Sequence, residues 1–205
     1  MSIVKEQVPV IILSFVMVIC DIAAGSELEN MIHRRDIDGI KTALHENPKL
    51  VTEPTGEPGE YPIHLAVRLG ESEIVMLLIS TGDVLNLKGQ YGKFPIDYAV
   101  LLKKYAIAEK LYKKGARSSL YDPIVLAVYC RDIKLLKTVT DSQLNKSYDG
   151  ATLIHYAVLR GDAELLMFLI EKGLPISAEN QNGDSALHWA SSIGNGEIVD
   201  ILLRY

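Results

Sequence analysis

The sequence predicts an all-α repeat fold: a short solenoid of stacked helix pairs joined by hairpin-like connectors. Three observations carry this. First, a 21-residue stretch is written several times over, most clearly as G-A-T-L-I-H-Y-A-V-L-R-G-D-A-E-L-L-M-F-L-I from Gly150. It returns as G-D-S-A-L-H-W-A-S-S-I-G-N-G-E-I-V-D-I-L-L from Gly183, and as G-E-Y-P-I-H-L-A-V-R-L-G-E-S-E-I-V-M-L-L-I from Gly59. Second, the spacing is fixed: Pro62 to Pro95 and Leu153 to Ala186 are both 33 residues, a period that marks stacked supersecondary units. Third, each copy reads as a turn, a short helix, a tight turn, a longer helix and a connector. More divergent copies begin at Gly92 and near Asp122.

The N-terminus reads differently. Val8 to Cys20 is apolar apart from Pro9 and Ser14 and carries no charge; Lys5 precedes it, and Ala23-Ala24-Gly25 follows. A charged start, a short apolar core and small residues for a peptidase make a secretory signal over residues 1–25. The core is too short to cross a bilayer, which takes about 20 residues. The alternative is a buried helix covering the first repeat, in a cytoplasmic or membrane-associated protein.

From Ser26 onward the chain reads as a folded domain, residues 26–205. Ser26 and Glu29 have capping-box spacing ahead of a helix to Arg34, and Asp36 opens a second helix to about His45. Leu28, Met31, Ile32, Ile37, Ile40 and Leu44 form one apolar face at helical spacing. Residues 26–50 thus form an N-terminal capping pair that shields the stack. Thr52 to Glu60 is a Pro-, Gly- and Glu-rich loop. Repeats follow near 59–91, 92–119, 120–149, 150–182 and 183–205. Ala66, Ala99, Ala127, Ala157 and Ala190 occupy one slot in the five copies, where a small residue lets helices approach.

The connectors differ. Gly82–Pro95 and Gly173–Ala186 match in length and carry Gly92 and Gly183 at the turn, as projecting β-hairpins would. Gly115–Pro123 is shorter, as is the stretch through Asp141, Ser142 and Asn145, so the middle of the stack should be its least regular and least stable part.

Bulk composition narrows the function. The 205 residues are 48 % apolar and 23 % charged, which describes a folded soluble protein. The net charge of −5 argues against nucleic acid, which calls for a basic stripe. The lysines at 103, 104, 110, 113 and 114 read as one solvated helical face. Cys20 and Cys130 have no metal or redox spacing. No nucleophile elbow or phosphate loop is present, and Cys130 reads as a packed thiol. His64, His155 and His188 recur at one repeat position. Equivalent positions in stacked units lie about 10 Å apart, too far for one metal with bonds of about 2 Å. The expectation is no enzyme, no cofactor, no metal and no small-molecule substrate.

At these residues the chain resembles the ankyrin repeats, whose motif G-x-T-P-L-H-L-A-A-x-x-G-H-x-E-I-V-x-L-L-L is met from Gly59, Gly150 and Gly183. The resemblance covers roughly residues 26–205. It implies antiparallel helix pairs, projecting hairpins, and binding to other proteins through hairpin tips and the exposed side of the first helix. Carried onto this chain, the implied partner-binding set is Arg68, Leu69, Lys88, Gln90, Tyr91, Lys93, Tyr129, Leu159, Arg160, Glu179, Gln181, Asn182 and Asp184. Arg68, Tyr91, Tyr129 and Arg160 stand first, since Tyr and Arg are favoured anchors. The family's helix-capping Thr is replaced by Tyr61, Phe94 and Asp122 in three copies, and only Asp122, Thr152 and Ser185 offer a capping oxygen. The alternative to an interaction module is the targeting or recognition part of a larger exported effector or toxin-like protein; if instead the chain ends at Tyr205, the second expectation is self-association through Ile198, Ile201 and Leu202 of the last helix. The second predicts concentration-dependent sedimentation.

Overall fold

The computed structural model describes residues 27–55 and 59–205. The signal segment, residues 1–25, and the Ser26 end of the first cap lie outside the described residues, as do residues 56–58 of the loop. The described chain is helical. In order it forms α1 (residues 27–34), α2 (Ile37–Glu46), α3 (Pro62–Leu69), α4 (Ser72–Thr81), α5 (Pro95–Leu101), α6 (Tyr105–Lys113), α7 (Pro123–Tyr129), α8 (Ile133–Thr138), α9 (Asp141–Leu144), α10 (Leu153–Arg160), α11 (Ala163–Glu171), α12 (Ala186–Ile193) and α13 (Gly196–Arg204). The chain divides into two compact units at Tyr98–Ala99.

In the first unit α3 packs on α4, and α2 also touches α4. Leu28, Ile32, Ile40 and Leu44 are buried, with Met31 and Ile37 half-buried, so the predicted apolar face of the capping pair is its packed face. Asp36 caps α2 by accepting from Gly39 N at 2.9 Å. In the second unit α7 packs on α8 and α10, α10 on α11 and α12, and α12 on α13. All five alanines of the shared slot are fully buried. A methyl group is what those helix contacts admit, and overpacking such a site typically costs about 1–3 kcal/mol.

The turn inside each helix pair needs one residue in the left-handed region. Gly70, Gly161 and Gly194 fill it after α3, α10 and α12, with φ of 85°, 74° and 75°. The other three pairs use a cation instead: Arg35, Lys103 and Arg131, with φ of 58°, 56° and 53°. A side chain there is disfavoured. Two of the three cations offset this with ion pairs to acids further along the chain. Arg35 reaches Glu71 at 2.6 Å, and Arg131 reaches Asp162 at 3.2 Å and also Glu164.

The connectors are turns rather than strands. Among the described residues the β pairing is confined to two isolated bridges, Tyr148 with Ala151 and Glu179 with Ser185. The Gly82–Pro95 connector, expected to be a hairpin, closes instead on a short 3-10 turn at Gln90–Gly92, where the left-handed Tyr91 and Gly92 interrupt any extended run. The shorter 115–123 connector closes on Ser118 Oγ, which accepts from Leu120 N and Tyr121 N. The second helix of the third repeat, α8, has 6 residues where α4 has 10 and α6 has 9. The four-residue α9 follows it, so this repeat is the irregular one.

Candidate partner-binding surface

The recurring histidines are structural. His155 lies wholly inside, and its Nε2 sits 3.0 Å from the carbonyl of Asp184 in the next repeat. A carbonyl only accepts, so Nε2 carries the proton and Nδ1 is the acceptor. Nδ1 takes the Thr152 backbone N–H at 3.3 Å and the Thr152 hydroxyl at 2.9 Å. His188 does the same for Ser185, at 3.0 and 2.9 Å. Each pair is a capping box closed by an imidazole. Trp189 stacks edge-on against His155 at 4.9 Å, which accounts for an indole at that place.

The departures from the motif have local answers. At Phe94 the N3 residue is Asp97, fully buried, whose Oδ2 accepts from Phe94 N at 2.8 Å; the carboxylate does the imidazole's work. At Asp122 the side chain caps directly, accepting from Ile124 N at 2.9 Å. At Tyr61 no side-chain cap forms. His64 Nε2 donates to Leu87 O at 3.1 Å, while its buried Nδ1 meets no hydrogen-bond donor among the described residues. Burial pulls the His64 pKa down to about 4, against the raising effect of the Leu87 carbonyl. Tyr61→Thr restores the hydroxyl that Thr152 and Ser185 supply. It is expected to stabilise the fold by about 1 kcal/mol, the gain of a cap and a satisfied acceptor less the lost ring contact. Urea denaturation checks this; a variant weaker than the parent would refute it.

The predicted binding residues divide sharply. In the first unit Arg68, Leu69, Lys88 and Tyr91 are exposed, and Gln90 and Lys93 partly so. Arg68 is tethered to the buried carboxylate of Glu60 at 3.1 Å. Tyr91 is 89 % exposed, with the Lys93 ammonium 4.8 Å from its ring centre. In the second unit Glu179, Gln181 and Asn182 are exposed, and Asp184 and Leu159 half-buried. Asp184 is occupied within its own loop: its N–H donates to Asn180 Oδ1 at 2.9 Å, and its carbonyl accepts from His155.

Two first-choice anchors are corrected, and so is the self-association face of the last helix, where Ile198, Ile201 and Leu202 are buried against the fold and not bare. Tyr129 is only 5 % exposed, enclosed by Tyr105, Tyr121 and Tyr156 with ring centres 5.2–6.0 Å away. Burial pushes its phenol pKa up, so it is a packed ring and not a surface anchor. The Arg160 side chain is 8 % exposed and fully engaged: Glu109 at 2.6 Å, Asp162 at 3.2 Å, the Tyr129 carbonyl, and the Tyr105 ring at 5.1 Å. Arg160 therefore binds this chain itself. Cys130 is buried, and burial lifts its thiol pKa to about 12, well away from a reactive thiolate. Sequence reasoning missed Glu109, whose partner Arg160 is non-local, and Glu60, which lies before α3 and pairs with Arg68 in that helix's last turn. It also missed the cations in the left-handed turns, for which the absent glycine was the available sign.

Comparison with known proteins agrees with this construction. The family pattern described as "Ankyrin repeats (3 copies)" matches residues 28–122 and 124–205. Among curated proteins the chain is similar to inversin of Canis lupus familiaris, 24 % identical over 89 % of this chain and 15 % of inversin. It is also similar to the probable 26S proteasome regulatory subunit p28 of Saccharomyces cerevisiae, 28 % identical over 69 % of this chain and 68 % of that protein. The chain thus spans a small part of inversin and about two thirds of p28. Among solved structures it resembles a chain of the complex of the Bd0816 predatory endopeptidase from Bdellovibrio bacteriovorus with immunity protein Bd3460. That likeness has a TM-score of 0.59 and 26 % identity, and covers 86 % of this chain and 96 % of that one. Motif, capping histidines, buried alanine slot and family match agree, and the chain belongs to the ankyrin-repeat family.

Proposed function

We propose that the chain is a protein-binding module that works by stoichiometric association, and that its partner is an exported hydrolase which it holds in check. One observation carries the binding part. Three places beyond the buried alanine, Leu69, Leu102 and Ile193 are each at least 38 % exposed in their repeats, and Leu101 beside Leu102 is 49 % exposed. The same slot thus offers large apolar groups to solvent in three repeats, although nothing in the fold requires it. Leu101 and Leu102 are adjacent, and exposed apolar groups that are contiguous, unlike single scattered ones, mark a contact surface. The choice of partner class is supported by the likeness to a chain of an endopeptidase–immunity protein complex over nearly that chain's full length. The charged start, short apolar run and Ala23-Ala24-Gly25 support export to the same side of a membrane.

The test has two arms. The mature protein is isolated from the cells that make it, and its N-terminus read by mass spectrometry; Ser26 is the expected first residue, and an intact Met1 would refute export. The purified protein is then titrated into the secreted hydrolase fraction of the same cells. The expected result is a 1:1 complex with loss of a peptidase activity, and Leu102→Glu or Ile193→Glu weakening it at least tenfold. Full activity at saturating protein would refute the inhibitory reading.

A further inference from the structure

We propose that the cleft between α6 and the start of α8 is a docking site of its own, and that it takes an acidic segment of a partner protein with one apolar side chain between its carboxylates. This goes beyond the contact made by the exposed leucines, because the cleft belongs to second helices of the repeats and not to first ones. Residues 103–137 hold nine lysines and arginines against three acids, in a chain whose net charge is −5. Lys110, Lys113 and Lys114 stand three and four residues apart on α6 and its cap, and Lys134 and Lys137 three apart on α8; all are exposed. That spacing gathers like charges on one face of each helix, where they repel. Lys113, Lys114, Lys134 and Lys137 form no ion pair among the described residues.

Lys134 is the sharper sign. The second residue of the second helix is an acid in four pairs, as Asp38, Glu73, Glu164 and Glu197. An acid there suits the positive end of the helix dipole. In α8 the place is held by Lys134, and no acid stands in that first turn. The dipole accounts for Lys110, Lys113 and Lys137, which lie in last turns, but not for a cation at the opposite end. Lys134 is found instead at a cleft of about 530 Å³ that it shares with Lys113, Tyr112, Cys130 and Ile133. A concavity of that size with an apolar lining and a few polar groups suits a ligand. The other charged groups of the cleft are engaged. Arg131 pairs with Asp162 and Glu164, while Asp132 accepts from Leu135 N at 3.0 Å and from the Tyr112 hydroxyl. Two ammonium groups at an apolar cleft are left to be matched, and their complement is a pair of carboxylates about an apolar side chain. Single-stranded nucleic acid needs a series of stacking rings, and a membrane surface needs a broad apolar helix face. A concave cleft whose one ring is tied to Asp132 supplies neither, which favours a peptide segment.

The experiment follows the fluorescence anisotropy of fluorescein-labelled peptides D-E-L-E-D and D-E-S-E-D as the full chain is added. The leucine peptide is expected to bind saturably at 1:1, and the serine peptide at least tenfold more weakly. Lys113→Glu/Lys134→Glu is expected to weaken the leucine peptide at least tenfold. Leu102→Glu should bind it within twofold of the parent, which separates this site from the first-helix contact. Lys134→Glu alone is expected to raise the melting temperature while weakening binding, the opposite of what a lysine kept for the fold would show. Equal affinity for the two peptides would reduce the site to diffuse charge attraction and overturn the proposal. So would the lack of saturable binding, parental affinity in the lysine pair, or a lower melting temperature for Lys134→Glu. Tighter lysine-dependent binding of oligo-dT or of phosphatidylglycerol vesicles than of the leucine peptide would overturn it in favour of nucleic acid or membrane.

Discussion

Arg160→Ala is expected to destabilise the protein by about 3–5 kcal/mol, the cost of leaving buried charges without their counterpart. The guanidinium is the hub of the second unit. It joins Glu109 on α6 to Asp162 at the start of α11, donates to the carbonyl of Tyr129 at the end of α7, and lies over the Tyr105 ring. Asp162 in turn caps α11 by accepting from Leu165 N at 3.0 Å. Removing the arginine therefore strands the Glu109 carboxylate, leaves Asp162 with Arg131 as its cation, and takes a donor from the Tyr129 carbonyl at once. Arg160→Lys keeps the charge but not the fork, and should fall between parent and alanine variant. With Glu109→Gln added, the combined loss should be smaller than the sum of the two, because the second change removes an acid already stranded by the first. Chemical denaturation of the parent and the four variants, Glu109→Gln alone included, checks this. A loss below about 1 kcal/mol for Arg160→Ala, the range of an exposed ion pair, would refute the hub.

Acidification from pH 7 to about 4 is expected to cost the folded state roughly 3 kcal/mol through His64 alone. Its folded pKa of about 4 lies below the ordinary 6.5, and each unit of difference is worth about 1.4 kcal/mol. The unfolded chain binds a proton that the folded chain excludes, so stability is complete above about pH 6.5. It falls as the pH drops toward 4 and levels off below that. His155 acts in the same direction: burial lowers its pKa, against the raising influence of the Asp184 carbonyl and carboxylate. His64→Gln keeps an N–H for Leu87 O and removes the titration, so its stability should fall less steeply than the parent's from pH 6.5 to 4.5. Parallel slopes would refute the assignment.

The helix pairs were legible because a 33-residue period, a conserved-volume alanine slot and Gly or Pro punctuation are all local signals. The histidine role was legible too, since Thr152, Ser185 and their histidines stand three residues apart, within one helical turn. What was not legible was who meets whom across repeats. Tyr129 occupies a slot that is exposed at Arg68 and Leu101, and only the convergence of Tyr105, Tyr121 and Tyr156 makes it interior. Arg160 lies 51 residues from Glu109, and no periodicity reports such a pair. The missing cap at Tyr61 was visible in the sequence, whereas its consequence, an unmet Nδ1 on His64, needed the ring's orientation.

The charged left-handed turns bear on how such a chain changes by duplication. A helix pair that turns on glycine makes no demand of its neighbour and can be copied or moved freely. Arg35 and Arg131 are keyed, because each closes on acids some thirty residues downstream, Glu71 for one, Asp162 and Glu164 for the other. A unit inserted after either must bring its own carboxylate to the first turn of its second helix. Otherwise the junction keeps the strained backbone and loses the contact that compensates it.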